Sequence, residues 1–408
     1  MILVIPIVKS GGEKILKRNL MFISVFVFLA SFSIPAIASE KESKEGKLPG
    51  WVERVTLTGT IESDYSWTKH SDVADKVSDS TSDLFISTVE LGAEVDFTDW
   101  IKGSLIFLTE DLGTDHETDV TVDEAVMTLQ SEDFPLYVIF GKRAQPFGLF
   151  ENHLVSDPMS QDAYETSRAG VTAGFTGPMA LDLSATVYKG EEMMNHLFES
   201  GLFNADPDAG GISRAGEESD DVGSYILFAS FSPIENHLTL FGAYISETGN
   251  KDRNETVNAG FNFIPPVLEN LRIDAEYMKA LNREKYNGAG KEYKEGVFSI
   301  TAAYEFVLRK REIIGGALFA ERKAHVVSEP LEIAVRYEHF DDDGMADEPG
   351  TWAVDNRYSA GARYSFYYDE ESELTAYIAA EYRLTKYRET TDSIDKNNEF
   401  FARLGLSF

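Results

Sequence analysis

The sequence predicts an all-β fold, a transmembrane antiparallel up-and-down β-barrel of about sixteen strands. Three observations carry this. From Arg54 onward apolar and polar residues alternate at period two, strand after strand. The connections alternate between short turns and long polar loops, as in barrels whose two ends differ. Tyr and Phe gather at the ends of the apolar faces, where an interfacial aromatic girdle would lie. A large soluble β protein would also alternate, but here the opposite face is charged strand after strand, which suits a wet lumen better than a sandwich core. Closure also removes sheet edges that lipid could not satisfy.

The elements follow in order. Lys14, Lys17 and Arg18 precede an apolar run from Leu20 to Ile34 and an A-x-A site at Ala36-Ile37-Ala38, the layout of a secretory signal peptide. The chain therefore divides into a signal peptide at 1–38, a short periplasmic N-terminal segment at 39–50 and the barrel at 51–408, exported through the Sec pathway. Val55, Leu57, Gly59, Ile61, Tyr65 and Trp67 make the first apolar face, against Thr56, Thr58, Thr60, Glu62 and Asp64. Short turns carry Pro, Gly or acids: 132–135, 176–178, Ser232-Pro233, Pro265-Pro266 and 369–371. Long loops are expected near 69–82, 111–120, 144–167, 190–222, 247–255, 281–292, 341–354 and 388–398. The stretch 307–330 breaks the rhythm. Parity makes it a short turn, yet it holds the apolar run 313–319, so a small helix, a plug element or a further strand pair (eighteen strands) all fit. The last strand ends on Phe408, like the C-terminal signal read by the outer-membrane assembly machinery.

Composition excludes several classes of function. A formal net charge of −32 over 408 residues argues against nucleic-acid binding. The absence of Cys removes a disulfide framework. Mean hydropathy is −0.22, and no stretch after the leader nears the roughly 20 apolar residues of a spanning helix. There is no Ser-His-Asp arrangement on a nucleophile elbow, no H-E-x-x-H, no P-loop and no G-x-G-x-x-G, so the chain reads as no enzyme and implies no cofactor or metal. Asp341-Asp342-Asp343-Gly344 lacks the spacing of a calcium loop and reads as a solvated loop tip.

Residues 141–166 form the third long connection, between the fifth and sixth strands, too long and irregular for an ordinary link. Gly141, Pro146, Gly148 and Pro158 break regular structure, with Phe147, Phe150 and Tyr164 and the acids Glu151, Asp157, Asp162 and Glu165 between them. It fits either a surface loop or a constriction-type loop folded into the channel. Early strands put Glu62, Asp64, Glu90, Glu94, Asp96 and Glu124 inward. Late strands put Arg336, Arg357, Arg363, Arg383 and Arg403 inward, and Arg143 and Arg168 flank the loop. A basic wall facing an acidic loop would set a field across the lumen, and arginine forks suit carboxylates. These arginines are candidate substrate-pathway residues; alternatively they pair with acids such as Glu332, Glu338 and Glu381.

The ordered motifs Val122-Asp123-Glu124-Ala125, Gly141-Lys142, Pro146-Phe147-Gly148, Ser156-Asp157-Pro158 and Glu165-Thr166, with the Asp99-Trp100 turn, resemble the LbtU family of siderophore porins. The resemblance covers most of 50–408. It implies a barrel of about sixteen strands in the outer membrane of a Gram-negative cell that admits a ferric siderophore or another anionic small solute. Outer-membrane lipid and lipopolysaccharide would surround it, and a homotrimer fits a porin of this size. A porin of other selectivity (phosphate, general diffusion) fits the same layout. So does a structural or surface-binding barrel without transport.

Overall fold

The computed structural model describes residues 54–72, 78–114, 117–131, 133–206, 211–214, 219–286, 291–315, 323–348, 351–369, 372–388 and 394–408. The predicted signal peptide and the segment 39–50 lie outside the described residues. The strands are β1 (Val55–Asp72), β2 (Ser78–Thr98), β3 (Ile101–Leu112), β4 (Thr121–Ser131), β5 (Phe134–Ala144), β6 (Ser167–Gly177), β7 (Leu181–Lys189) and β8 (Val222–Ile234). They continue as β9 (Leu238–Thr248), β10 (Arg253–Phe263), β11 (Leu271–Asn282), β12 (Gly296–Gly315), β13 (Lys323–Asp341), β14 (Ala353–Asp369), β15 (Thr375–Arg388) and β16 (Ile394–Ser407). Each neighbours the next, and β1 pairs antiparallel with β16 to close the barrel. The barrel unit holds 49–312 and 326–408. A second unit gathers 1–48 and 313–325, of which only the strand ends 313–315 and 323–325 are described.

Burial is inverted relative to a water-soluble protein. Alternate residues of the strands, such as Leu136, Val171, Leu183, Leu227, Val335 and Leu404, are exposed apolar side chains on the outer face. Between them Thr172, Thr186, Ser246, Thr256, Asn258, Glu276 and Glu381 point inward and are buried. Only a solvent less polar than the interior makes that arrangement favourable, and a hydrocarbon layer is one.

At the seam, the Gly59 N–H donates to the Phe408 carbonyl at 2.9 Å and the Phe408 N–H returns to Gly59 O at 3.0 Å. A Cβ at Gly59 would lie 2.7 Å from the Phe408 ring, so glycine leaves the notch in which that ring sits.

Two expectations change. The stretch 307–330, expected as a short turn, is largely strand. β12 runs on past its last pairing with β11, at Tyr304 and Leu271, and β13 starts before its pairing with β14 begins at Val327. The count stays at sixteen, and 316–322 lie outside the described residues. The stretch 190–222, expected as a polar loop, contains helix α2 (Glu192–Glu199; α1 is Met159–Tyr164 in the 141–166 loop), whose Met193, Met194 and Leu197 are fully buried. An apolar core therefore lies inside the barrel. Met159 and Tyr164 of α1, these residues of α2, and Leu202 and Phe203 beyond it pack on Ile226 (β8), Ile245 (β9), Met278 (β11) and Phe340 (β13). Each such side chain removed from water contributes about 1.5–3 kcal/mol.

Candidate functional site

The 141–166 loop is fixed at its base and along its whole course. Gln145 closes the base: its N–H donates to Thr166 O at 2.8 Å, and its side-chain amide donates to Arg143 O and Arg168 O at 3.0 and 2.6 Å. The chain then crosses to strands on the far side of the closed sheet. Asn258 of β10 donates to Phe147 O at 2.6 Å, and the Leu149 N–H donates to Glu276 of β11 at 3.2 Å. Gly148 is needed there, because a Cβ would lie 2.5 Å from the Phe150 ring and 2.8 Å from Glu276 Oε1. Phe150 itself takes a left-handed φ of 49°. Phe147 is buried edge-on to Tyr164, with ring centroids 6.0 Å apart.

Wall carboxylates satisfy the loop's backbone donors, which irregular chain inside a barrel would otherwise leave unpaired. Glu381 of β15 accepts the Val155 and Ser156 N–H groups at 2.9 and 2.7 Å and the Ser156 hydroxyl at 2.8 Å. Glu338 of β13 accepts the Met159 N–H at the start of α1. His153 bridges Asp274 (2.9 Å) and Glu332 (3.2 Å). Burial alone would disfavour the imidazolium, but the two carboxylates outweigh it and hold the His153 pKa up to about 9.

The predicted arginines divide by partner. Arg336 donates to Ser156 O, Ser156 Oγ and Asp157 O, each at 2.9 Å, and lies 3.2 Å from Glu338. Arg357 pairs with Asp162 of the loop at 2.6 Å. Arg383 grips Glu399 with two bonds of 2.8 and 2.9 Å, and Arg403 grips Asp64 the same way at 2.8 Å while reaching Glu62 at 2.9 Å. Arg168 meets Glu192 at 3.1 Å. Among the described residues Arg143 donates to the Thr172 hydroxyl, at 3.3 Å, and pairs with no carboxylate, while Arg363 stacks on the Tyr377 ring, 3.7 Å from its centroid. Among the described residues, Asp162 is the loop carboxylate that pairs with a late-strand arginine; the Glu165 carboxylate takes the Gln161 amide, and the Asp157 carboxylate accepts from Asn152. Of the acids that were alternative partners, Glu338 lies beside Arg336, whereas Glu332 and Glu381 hold the loop.

A second inward segment was not expected. Glu247 of β9, fully buried, accepts the Tyr188 hydroxyl at 2.6 Å and the Met193 and Met194 N–H groups at 2.8 and 3.1 Å, capping the N-terminus of α2. His196 joins α2 to Gln161 O of α1 at 3.1 Å. Behind them the Arg283–Glu295 pair is wholly buried, and Tyr164 donates to Glu295 at 2.9 Å. The sequence signal was the spacing Met193-Met194, Leu197-Phe198, Leu202-Phe203 inside an otherwise polar stretch.

A large space lies open between the loop and β1–β5. It is a cavity of about 900 Å³ lined by Glu62, Asp64, Glu90, Glu110, Asp111, Asp123, Asp157, Asp162, Glu165 and Glu192. The cationic side chains among its lining are Lys142, Arg383 and Arg403, with His196 beside them. Enclosure in the barrel, then the charges of Asp162 and Glu165, push the Asp157 carboxyl up to about 6 against the pull of Arg336 and Arg403. A smaller recess of about 150 Å³ adjoins it at Glu62, Val155 and Arg403, and is lined also by Arg363, Tyr377 and His153. Among the described residues no group of three or more His, Cys, Asp and Glu side chains could hold a metal ion.

No protein-family model and no curated protein matches the chain. Solved structures do match. The outer membrane channel DcaP of Acinetobacter baumannii superposes with a TM-score of 0.55 at 12% identity, over 87% of this chain and 97% of that one. OmpF of Salmonella typhi, in complex with daunomycin, gives 0.57 at 13% over 87% and 97%. The anion-selective porin from Comamonas acidovorans gives 0.52 at 10% over 87% and 99%. At such identities the likeness is one of architecture: the chain is a closed sixteen-stranded antiparallel barrel with the fold of the outer-membrane channels and porins.

Proposed function

We propose that this barrel is a porin of the Gram-negative outer membrane, passing small hydrophilic solutes by diffusion, and that its passage favours cations. One observation carries the preference. Ten carboxylates line the larger cavity against three Lys and Arg side chains; with Glu62, Asp64, Asp162 and Glu192 paired to arginines, six carboxylates still stand outside those pairs, against Lys142 on the cationic side. Charge of one sign on low-dielectric walls concentrates counter-ions. The apolar outer face supports the membrane setting, with lipid and lipopolysaccharide around it. Export by the Sec pathway, insertion through a signal at Phe408 and assembly as a homotrimer belong to the same reading.

Passage of a ferric siderophore or another anionic solute rests on the LbtU resemblance. Arg143 and Arg363, which meet no carboxylate within ion-pair distance among the described residues, favour it. The other five predicted pathway arginines are engaged by loop or wall. Planar bilayers separate these readings. The expected result is stepwise conductance with a reversal potential of cation selectivity under a salt gradient. Anion selectivity would transfer the conclusion to the arginines, and a sealed bilayer at every protein concentration would leave a structural or surface-binding barrel.

A further inference from the structure

We propose that Arg363 makes a carboxylate-binding recess beside the acidic passage, so that zwitterions with an ammonium and a carboxylate at opposite ends are the solutes taken best. This rests on the reading of the barrel as a porin. Arg363 points inward from β14 and is exposed to the lumen. Its guanidinium lies over the face of Tyr377, 3.7 Å from the centroid, and no carboxylate comes within ion-pair distance among the described residues. Stacking engages the flat face of a guanidinium and leaves the N–H edge free, the edge that forks onto a carboxylate.

The platform is fixed. Tyr377 donates its hydroxyl to Glu62, and its ring lies on β16 over Gly405, where a Cβ would come within 2.3 Å of the ring. The nearby acids are held by other cations: Glu62 and Asp64 share Arg403, and Asp274 and Glu332 share His153. Arg363 therefore keeps an edge free of any ion pair among the described residues, in a recess of about 150 Å³, room for a carboxylate and a few methylene groups. Because the recess and the acidic cavity share Glu62, Val155 and Arg403 in their linings, a chain a few carbons long can put its carboxylate in one and its ammonium in the other.

The test uses the full-length mature protein in planar bilayers, with block of the potassium chloride current by 6-aminohexanoate, hexylammonium, hexanoate and inorganic phosphate. The expected order puts 6-aminohexanoate first. Arg363→Gln should weaken its block by about tenfold or more, the scale of a lost charge-assisted hydrogen bond, and leave block by hexylammonium as it was. Arg363→Lys keeps the charge without the fork and should fall between. Equal block by 6-aminohexanoate in parent and Arg363→Gln channels would overturn the proposal. So would hexanoate or phosphate blocking as well as the zwitterion, since that describes a plain anion site. Heat-modifiable migration on gels shows that each variant has folded. If the parent carries no current at all, the porin reading fails, a different result from a current the zwitterion does not touch.

Discussion

The barrel interior has two halves built on opposite principles. From β7 to β13, and at the start of β14, the inner wall is covered by α1, α2 and the segment after it, packed around Met193, Leu197, Phe203 and Phe340 and stapled by buried pairs such as Arg283–Glu295. From β1 to β5, with the edge of β16, the wall is bare and acidic around a cavity of about 900 Å³. The 141–166 loop divides them: its backbone is tied to Asn258 and Glu276 on the covered side, and Asp157 and Glu165 face the open one. A closed sheet needs no core to satisfy its backbone, so the chain is free to fill one side and leave the other wet. Where open space remains is then set by what fills the barrel as much as by its strand number.

The difference between the halves has measurable consequences. Reversing charge on the open wall, with Glu110→Lys and Asp123→Lys together, should have the largest effect, turning the cation preference towards anions in a reversal-potential measurement. An unchanged ratio would mean that ions take another route. Next, Leu197→Ala should cost about 2–5 kcal/mol through the cavity it leaves, read as a lower urea midpoint in detergent. Glu110→Gln on the bare wall should move stability by no more than about 0.5 kcal/mol. Equal effects would erase the distinction between halves.

Arg357→Ala removes the tie to Asp162 and should destabilise by about 1.5–3 kcal/mol. Its sharper readout is current noise, which should rise as the loop gains freedom. The smallest effect concerns acid. Asp157 should take up a proton as pH falls through about 6, so cation preference should weaken between pH 7 and 5, and Asp157→Asn should remove that step. The linked stability runs the opposite way with pH. A carboxyl whose pKa is raised on folding favours the fold below its unfolded value of about 3.9, and that contribution is lost as pH rises through about 6.

The strands were legible because lipid enforces the rule at every second residue: Leu183, Val187, Val335 and Leu404 could not be polar where they stand. Their ends were less so. β1 and β2 continue into the predicted 69–82 loop, and β9 and β10 into 247–255, because inward residues there are polar whether the chain is strand or loop. The irregularity of 141–166 came from Pro146, Gly148 and Pro158. Its anchors could not be read, since Asn258, Glu276, Glu332 and Glu381 lie about 110–230 positions away and nothing local marks a carboxylate as an acceptor of another segment's N–H groups. The covered half was missed for a different reason. The apolar pairs of α2 occupy few positions, and the acids and glycines from Asp206 to Asp221 gave the whole stretch a polar appearance.

The notch at Gly59 has a consequence for folding kinetics. Residues 59 and 408 are the most distant partners in the sheet, so joining them carries the largest loop-closure entropy of any strand pair. The Phe408 ring fits only against a backbone that carries no side chain at that point, so β1 presents a register mark when the last strand arrives. A strand slipped by one residue would turn its apolar side chains to the lumen and meet Thr58 or Thr60 where the notch should be. Filling the notch with Gly59→Val should therefore weaken the closed barrel and slow its closure together, because the clash exists only once the ring is seated. Open intermediates would accumulate in a refolding time course, and the urea midpoint of the formed barrels would fall.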